Sequence, residues 1–114
     1  MNKDQDSSDA DKLRLRTPKG EVVFVAAENV LLAKSFDHWV KVLVKDGKKF
    51  VWFESHITLH DFLLLKAAAH LERRSKFYAV NKSRVTLYVR KNRTLVFDHV
   101  FTVELEHELP AYFL

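Results

Sequence analysis

The chain has no cysteine, two glycines, two prolines and one methionine. Without cysteine there can be no disulfide, no thiolate metal site and no cysteine nucleophile. Two glycines cannot supply a phosphate-cradling loop or a dinucleotide fingerprint, and no nucleophile elbow is present. Few glycines and prolines also predict short loops. No apolar run is long enough to span a bilayer, and the N-terminal residues lack a secretory hydrophobic segment, so the default expectation is cytoplasmic. Six histidines raise the question of a metal. His56 and His60 are spaced i, i+4, but His56 precedes the predicted helix cap and no third ligand is obvious, so a solvated pair is expected and no cofactor is assigned. His99 and His107 flank a strand as surface or loop residues. Asp98, Glu104, Glu106 and Glu108 can be paired as acid and base on paper, yet strand alternation already accounts for Glu104 and Glu106 as solvent-facing. With no catalytic constellation, the sequence points away from an enzyme and from a small-molecule substrate.

What the chain does have is charge of one sign in one place. Between Arg73 and Phe97 stand eight basic residues and no acidic one, with aromatic and β-branched residues between them. Clustered Lys and Arg release condensed counterions on binding a phosphate backbone, so a polyanion is the first partner to consider; a solvated sheet face is the plainer reading. The 114 residues suit one domain, and 47% apolar content suffices for a core. Residues 1–12 stand apart, with Asp4, Asp6, Asp9 and Asp11 against Lys3 and Lys12 and no large apolar residue after Met1. They read as a disordered acidic tail or linker, such as would join this domain to another module. With the whole chain at +4 and this segment at −2, residues 13–114 carry +6.

The pattern of the rest is mainly β. Leu13–Arg16 suits a short edge strand, Thr17-Pro18-Lys19-Gly20 a turn, Val22–Ala26 a strand broken at Ala27-Glu28-Asn29, and Val30–Lys34 the start of another. His38–Lys45 and Lys48–Glu54 flank Asp46-Gly47, a strong hairpin signal of type I′. Val40, Val42 and Val44 would share one face of that hairpin, and Trp39, Lys41 and Leu43 the other. Thr58 opens the one convincing helix, with Asp61 three residues on and an apolar stripe of Leu59, Phe62, Leu63, Leu65 and Ala69, running to about 71–73. Phe77–Val80, Val85–Val89, Thr94–Phe97 and Phe101–Leu105 are four further strands, and Ala111–Leu114 an apolar end that packs down after Pro110.

Read in order, these elements resemble the LytTR type of DNA-binding domain, the effector module of many bacterial response regulators in two-component signalling. The resemblance covers Leu13 to Phe113. It rests on the basic strand followed by Thr-Pro-x-Gly and Val22-Val23-Phe24-Val25, on Asn29-Val30-Leu31-Leu32-Ala33, on Asp37-His38-Trp39-Val40, on the Asp46-Gly47-Lys48 hairpin and on Thr58-Leu59-x-x-Phe62. Its most specific element is the family's Arg-x-His-[Lys/Arg]-Ser-[Tyr/Phe]-x-Val-Asn. Here Arg73-Arg74-Ser75-Lys76-Phe77-Tyr78-Ala79-Val80-Asn81 keeps Arg, Lys, Tyr, Val and Asn, while Ser75 and Phe77 replace His and Ser. Near the end, Glu106-His107 stands where the family has a Ser-Arg pair, whose Arg is a usual DNA contact.

The resemblance implies elongated, stacked antiparallel sheets with one inserted helix over about 58–73. Loops at the sheet edges would enter successive major grooves of duplex DNA, often as a dimer on direct repeats, in transcriptional regulation. It points to His38 in a loop, with Lys34 and Ser35 beside it on phosphate, and to Ser75 and Lys76 after the helix, with Arg74 as a phosphate clamp. Lys82 and Arg84 add positive field, and His107 holds the place of the absent Arg, where it would make a weaker contact, favoured below pH 7. Arg73, Tyr78, Val80 and Asn81 read as structural, and Trp39, Trp52 and Phe53 as core. Two alternatives stay open: a protein-interaction module that has lost base readout and pairs through exposed strand edges, and a single-stranded nucleic-acid binder that uses aromatics and the basic stripe. No receiver that accepts a phosphoryl group lies in these residues, so sensing belongs to another segment or another protein.

Overall fold

The structure is a computed structural model, and it describes residues 12–110. In β1 (Lys12–Arg16) Leu13 and Leu15 are buried while Lys12 and Arg14 face solvent, the period of two that a strand imposes. The predicted turn joins it to β2 (Val22–Ala26): the Gly20 N–H donates to the Thr17 carbonyl at 2.9 Å, and Gly20 takes φ 89°. After a 3-10 turn at Ala27–Asn29, the strands β3 (Val30–Phe36), β4 (Trp39–Asp46) and β5 (Lys49–Ser55) form an antiparallel meander. The β4–β5 hairpin falls where Asp-Gly predicts it, with a different turn. Asp46 pairs with Lys49, so the two-residue loop is Gly47-Lys48, and of these only Gly47 has positive φ, at 62°. Glycine in first place fits type II′ rather than the expected type I′, which needs both central residues left-handed.

The helix is shorter than its sequence suggests. Thr58 caps it as expected, its hydroxyl accepting the Asp61 N–H at 3.2 Å, but α1 spans only Leu59–Leu63. Leu65 then turns extended (ψ 137°), a 3-10 turn follows at Lys66–Ala68, and Glu72–Arg73 form the short strand β6 where helix was expected. The reason is phase. At about 100° per residue, a continuous helix would carry Ala68 to the side opposite Leu59. The break resets the phase, so Ala67, Ala68 and Leu71 join Leu59 and Phe62 in one core, while Leu65 and Ala69, expected in the stripe, are exposed.

The chain continues through β7 (Tyr78–Val80), a 3-10 turn at Lys82–Arg84, β8 (Val85–Val89), β9 (Thr94–Phe97) and β10 (Phe101–Glu104), close to the four strands expected. Two antiparallel sheets result, one of seven strands in the order β2-β1-β5-β4-β3-β7-β6 and one of three in the order β10-β9-β8. β1 is therefore not an edge strand: it lies between β2 and β5, although it meets β5 only at Arg16–Glu54. The middle of the large sheet is buried on both faces. Val40, Val42 and Val44 pack with Leu13, Leu15, Leu59 and Phe62 on one side, and Leu43 packs with Tyr78, Leu95, Phe97 and Leu105 on the other. The two faces assigned to β4 thus serve two cores; β3 also supplies both, and a bulge between Val30 and Leu32 puts Leu31 and Leu32 together in the second. The shape is elongated, 52 × 29 × 27 Å. Of the predicted acidic tail, Lys12 belongs to β1; the remainder, and the apolar end at 111–114, lie outside the described residues.

The two margins of the large sheet differ. β6 is two charged residues long, a protected edge, whereas β2 (Val-Val-Phe-Val-Ala) carries no charge and leaves Phe24 64% exposed.

Candidate nucleic-acid interface

Strand pairing gathers residues that lie far apart in sequence. β3 pairs with β4 and β7, bringing Lys34 opposite both Lys41 and Tyr78; Lys41 in turn faces Glu54 on β5, and Glu54 faces Arg16 on β1. Residues opposed in this way point to the same side of a sheet. A polar row, Tyr78-Lys34-Lys41-Glu54-Arg16, therefore crosses five strands on the side of the three-stranded sheet. At the Tyr78 end, three segments converge around one groove: the β3–β4 tip, the turn before β7 and the chain after β10.

At the tip, Phe36 pairs with Trp39 across the loop Asp37-His38, and Asp37 takes φ 59°, a left-handed conformation that Asp tolerates. His38 projects with its side chain 92% exposed, 3.5 Å from the Asp37 carboxylate. Ser35 donates its backbone N–H to the Phe77 carbonyl at 2.8 Å, which ties the tip to the next segment.

That segment is a built turn. The Ser75 hydroxyl accepts the backbone N–H groups of Phe77 and Tyr78 at 3.0 and 3.2 Å, and the Arg73 guanidinium donates to the carbonyls of Ser75 and Lys76. Arg73 thus supports the backbone that presents Lys76, as the sequence suggested. Lys76 is exposed, its ammonium 5.2 Å from the Phe77 ring centre. Arg74 donates to the Glu72 carboxylate.

The third segment is held by Tyr78. Its buried phenol accepts the His107 backbone N–H at 2.9 Å and donates to Glu106 at 3.4 Å, while the His107 ring stacks on Phe77 at 3.7 Å between centres. Burial, with the Glu106 charge, pushes the Tyr78 hydroxyl pKa up. Glu106 reaches across to Lys34, Oε to Nζ at 2.8 Å. The Lys34 hydrogen bond holds the Glu106 carboxyl below its ordinary value, against the opposing effect of burial.

Lys34, Ser35, His38, Ser75, Lys76 and His107 are thus brought to the end of the large sheet where β3 finishes and β7 begins, with Arg74 beside them. Lys82 and Arg84 are not, because they follow the opposite end of β7. There Asn81 donates to the Val30 carbonyl, and Arg84 forks onto Asp98 at 2.7 and 2.6 Å while donating to the Glu28 carbonyl at 2.8 Å. With these donors committed inside the protein, Arg84 is a fold residue rather than a source of external field. Tyr78 and Asn81 are buried, as a structural role requires, and Phe53 is buried while Trp39 and Trp52 are half-buried. His56 lies 3.2 Å from Glu54, and among the described residues no group of three ligands stands close enough to hold a metal.

Sequence reasoning missed Lys41 and the Lys34–Glu106 contact. Alternation already placed Lys41 on the Trp39–Leu43 face, which was the available signal. Nothing in a linear pattern announces a pair 72 residues apart.

Among solved structures, the chain is similar to the LytTr DNA-binding domain of a putative methyl-accepting/DNA response regulator from Bacillus cereus, with a TM-score of 0.61 and 18% identity over 82% of this chain and 84% of that one. No family model matches the sequence, and no curated protein matches it. At this identity the likeness is one of architecture: the chain has a LytTR-type fold, mainly β, with antiparallel sheets and one helix. No helix among the described residues is long and apolar enough to cross a membrane.

Proposed function

We propose that this chain is a duplex-DNA-binding domain that reads sequence in transcriptional regulation. The observation that carries the reading is the convergence of the β3–β4 tip, the Ser75-Lys76 turn and the Glu106-His107 segment at one end of a LytTR-type fold. His38 and Lys76 are exposed donors on two separate protrusions of that end, suited to a groove and its flanking phosphates. Ser75 shapes the protrusion that presents Lys76. Lys34, Ser35, Arg74 and His107 line or border the groove between them, and Lys82 adds positive charge from the far side of β7. Two copies on direct repeats would place two such ends along the duplex.

The test is the salt dependence of binding. Lys76→Ala should weaken duplex binding and flatten the slope of log affinity against log salt by about 0.9, the loss of one phosphate contact. Arg74→Ala should do the same if its guanidinium turns from Glu72 to phosphate. Unchanged affinity and slope in both variants would sink the reading.

A second reading has its own observation, the uncharged β2 edge with Phe24 and Val22 exposed. Such an edge can take up a strand from a protein partner. Light scattering that finds a self-associated species, together with DNA affinity no better than that of any basic protein, would favour it.

A further inference from the structure

Lys34 and Glu106 present opposite chemistry side by side. Glu106 keeps 59% of its side chain exposed, whereas the Lys34 side chain is 17% exposed. Tyr78 fixes the backbone beside Glu106 through the His107 N–H and donates to one carboxylate oxygen while Lys34 donates to the other, so the carboxylate is held in place with its remaining lone pairs open to solvent. An ionised carboxylate only accepts hydrogen bonds, and on a surface that meets phosphate it is repelled. What it can meet favourably on a duplex is a base-edge donor. The major groove offers two, cytosine N4 and adenine N6. Adenine N6 lies beside N7, an acceptor that repels the carboxylate. Cytosine N4 has no such neighbour on its own base, and across the pair stand guanine O6 and N7, both acceptors. The Lys34 ammonium has three donors, one of them given to Glu106, which leaves two for guanine. The spacing agrees as well. Cytosine N4 and guanine O6 are partners in a hydrogen bond of about 2.9 Å, and Lys34 Nζ and Glu106 Oε2 stand 2.8 Å apart.

We infer that the Lys34–Glu106 pair reads the major-groove edge of one C·G base pair, Glu106 accepting from cytosine N4 and Lys34 donating to guanine. The inference rests on the duplex-DNA reading above and assigns a determinant of its specificity. It also gives Glu106 a role in a place where a negative charge otherwise only weakens binding.

The experiment is selection from a random duplex library with the wild-type chain and with Glu106→Gln, followed by wild-type affinities for the selected site and for versions changed at one base pair. Expected is a C·G position at which a change to T·A weakens wild-type binding at least fivefold, roughly the low end of a mismatch penalty. In Glu106→Gln that position should lose its preference or move to A·T, because glutamine matches adenine N6 and N7. The other positions should keep theirs, and non-specific binding should strengthen with the lost negative charge. The single-pair arm uses only the wild-type protein, so it stands even if the variant folds poorly. Identical motifs from both proteins would overturn the inference and leave the DNA reading intact. Failure of the wild-type chain to enrich any motif would remove sequence readout itself, and the inference with it.

Discussion

Two ion pairs sit beyond the two ends of β7 and are built in opposite ways. Beyond Val80, Arg84 meets Asp98 through two hydrogen bonds and spends a third nitrogen on the Glu28 carbonyl, while Lys45 stands 3.6 Å from the same carboxylate. Both side chains are mostly covered, at 25% and 19% exposure. Before Tyr78, Lys34 meets Glu106 through one contact, and the carboxylate is open to solvent. The first pair joins the turn before β8, the β9–β10 turn and the 3-10 turn before β3, and so fastens the small sheet to the large one. The second leaves the Glu106 carboxylate 59% exposed beside a Lys34 ammonium with donors to spare, on a side chain that is itself 17% exposed. A fork with its valences filled serves the fold, and a single contact with valences left over can serve a ligand.

The comparison breaks first at Arg84. Arg84→Met keeps the aliphatic stem but leaves Asp98 and the Glu28 carbonyl short of donors. Charge-assisted hydrogen bonds of this kind contribute about 1.5–3 kcal/mol, so urea denaturation should show a loss near 3 kcal/mol. DNA binding by the fraction that stays folded should be little changed. A loss below about 0.5 kcal/mol would mean that the fork does not fasten the sheets.

Acid sharpens the same point. Arg84 holds the Asp98 carboxyl below its ordinary value, mainly through the hydrogen bonds and against the effect of burial. A carboxyl depressed on folding contributes stability that is complete above its unfolded value, about 3.9, and is lost as the pH falls through the folded value. Asp98→Asn removes this contribution and still suits the left-handed φ of 52° at that position. At pH 7 it should cost about 1–2 kcal/mol, and the wild-type loss as the pH falls through the folded value should shrink by a similar amount. An acid limb identical in the two proteins would show that Asp98 is not the group responsible.

Tyr78→Phe comes next in size. The phenol holds the Glu106-His107 backbone through the His107 N–H, and it is 1% exposed. Removing one hydroxyl leaves the His107 N–H to solvent and should cost about 1 kcal/mol. The more telling readout is at the interface: specificity should relax even where stability is restored by a lower temperature, because the carboxylate is no longer aimed.

Much of this was legible in the residues and some was not, for physical reasons. The strand periods, the cap at Thr58, the Gly47 hairpin and the two faces of β4 depend on neighbours within a few residues, and those neighbours are visible in a linear pattern. The helix break is not, because Leu63-Leu64-Leu65 contains no glycine or proline. It arises from the need to turn Ala67, Ala68 and Leu71 into a core made by distant strands. The position of β1 inside the sheet rests on one bridge between Arg16 and Glu54. At the site, sequence assembled the residues at the tip and in the Lys76 turn but scattered Lys82 and Arg84 among them, since nearness along a basic run says nothing about which end of a strand each residue follows. Glu106 read as a solvent-facing residue and a departure from the family's Ser-Arg pair, and its partner became apparent only when β3 and the chain after β10 were seen together.

The smallest effect tests the other half of the comparison. Glu106→Gln should change stability at pH 7 by no more than about 0.5 kcal/mol, because an ion pair made through one hydrogen bond to a solvent-exposed carboxylate contributes little after screening and side-chain ordering. Its carboxyl is also held low, by Lys34, so the sign in acid is the same as for Asp98: a small contribution, present at neutral pH and lost as the pH falls through the folded value. Exposure makes it much smaller than that of Asp98, and salt should erase it first. Thermal melts of the two variants at low and high salt separate the cases. Asp98→Asn should remain costly in both conditions, whereas the cost of Glu106→Gln should vanish at high salt. If instead Glu106→Gln costs as much as Asp98→Asn and resists salt, the Lys34–Glu106 pair is a second fastening of the fold, and its remaining valences are not there for a ligand.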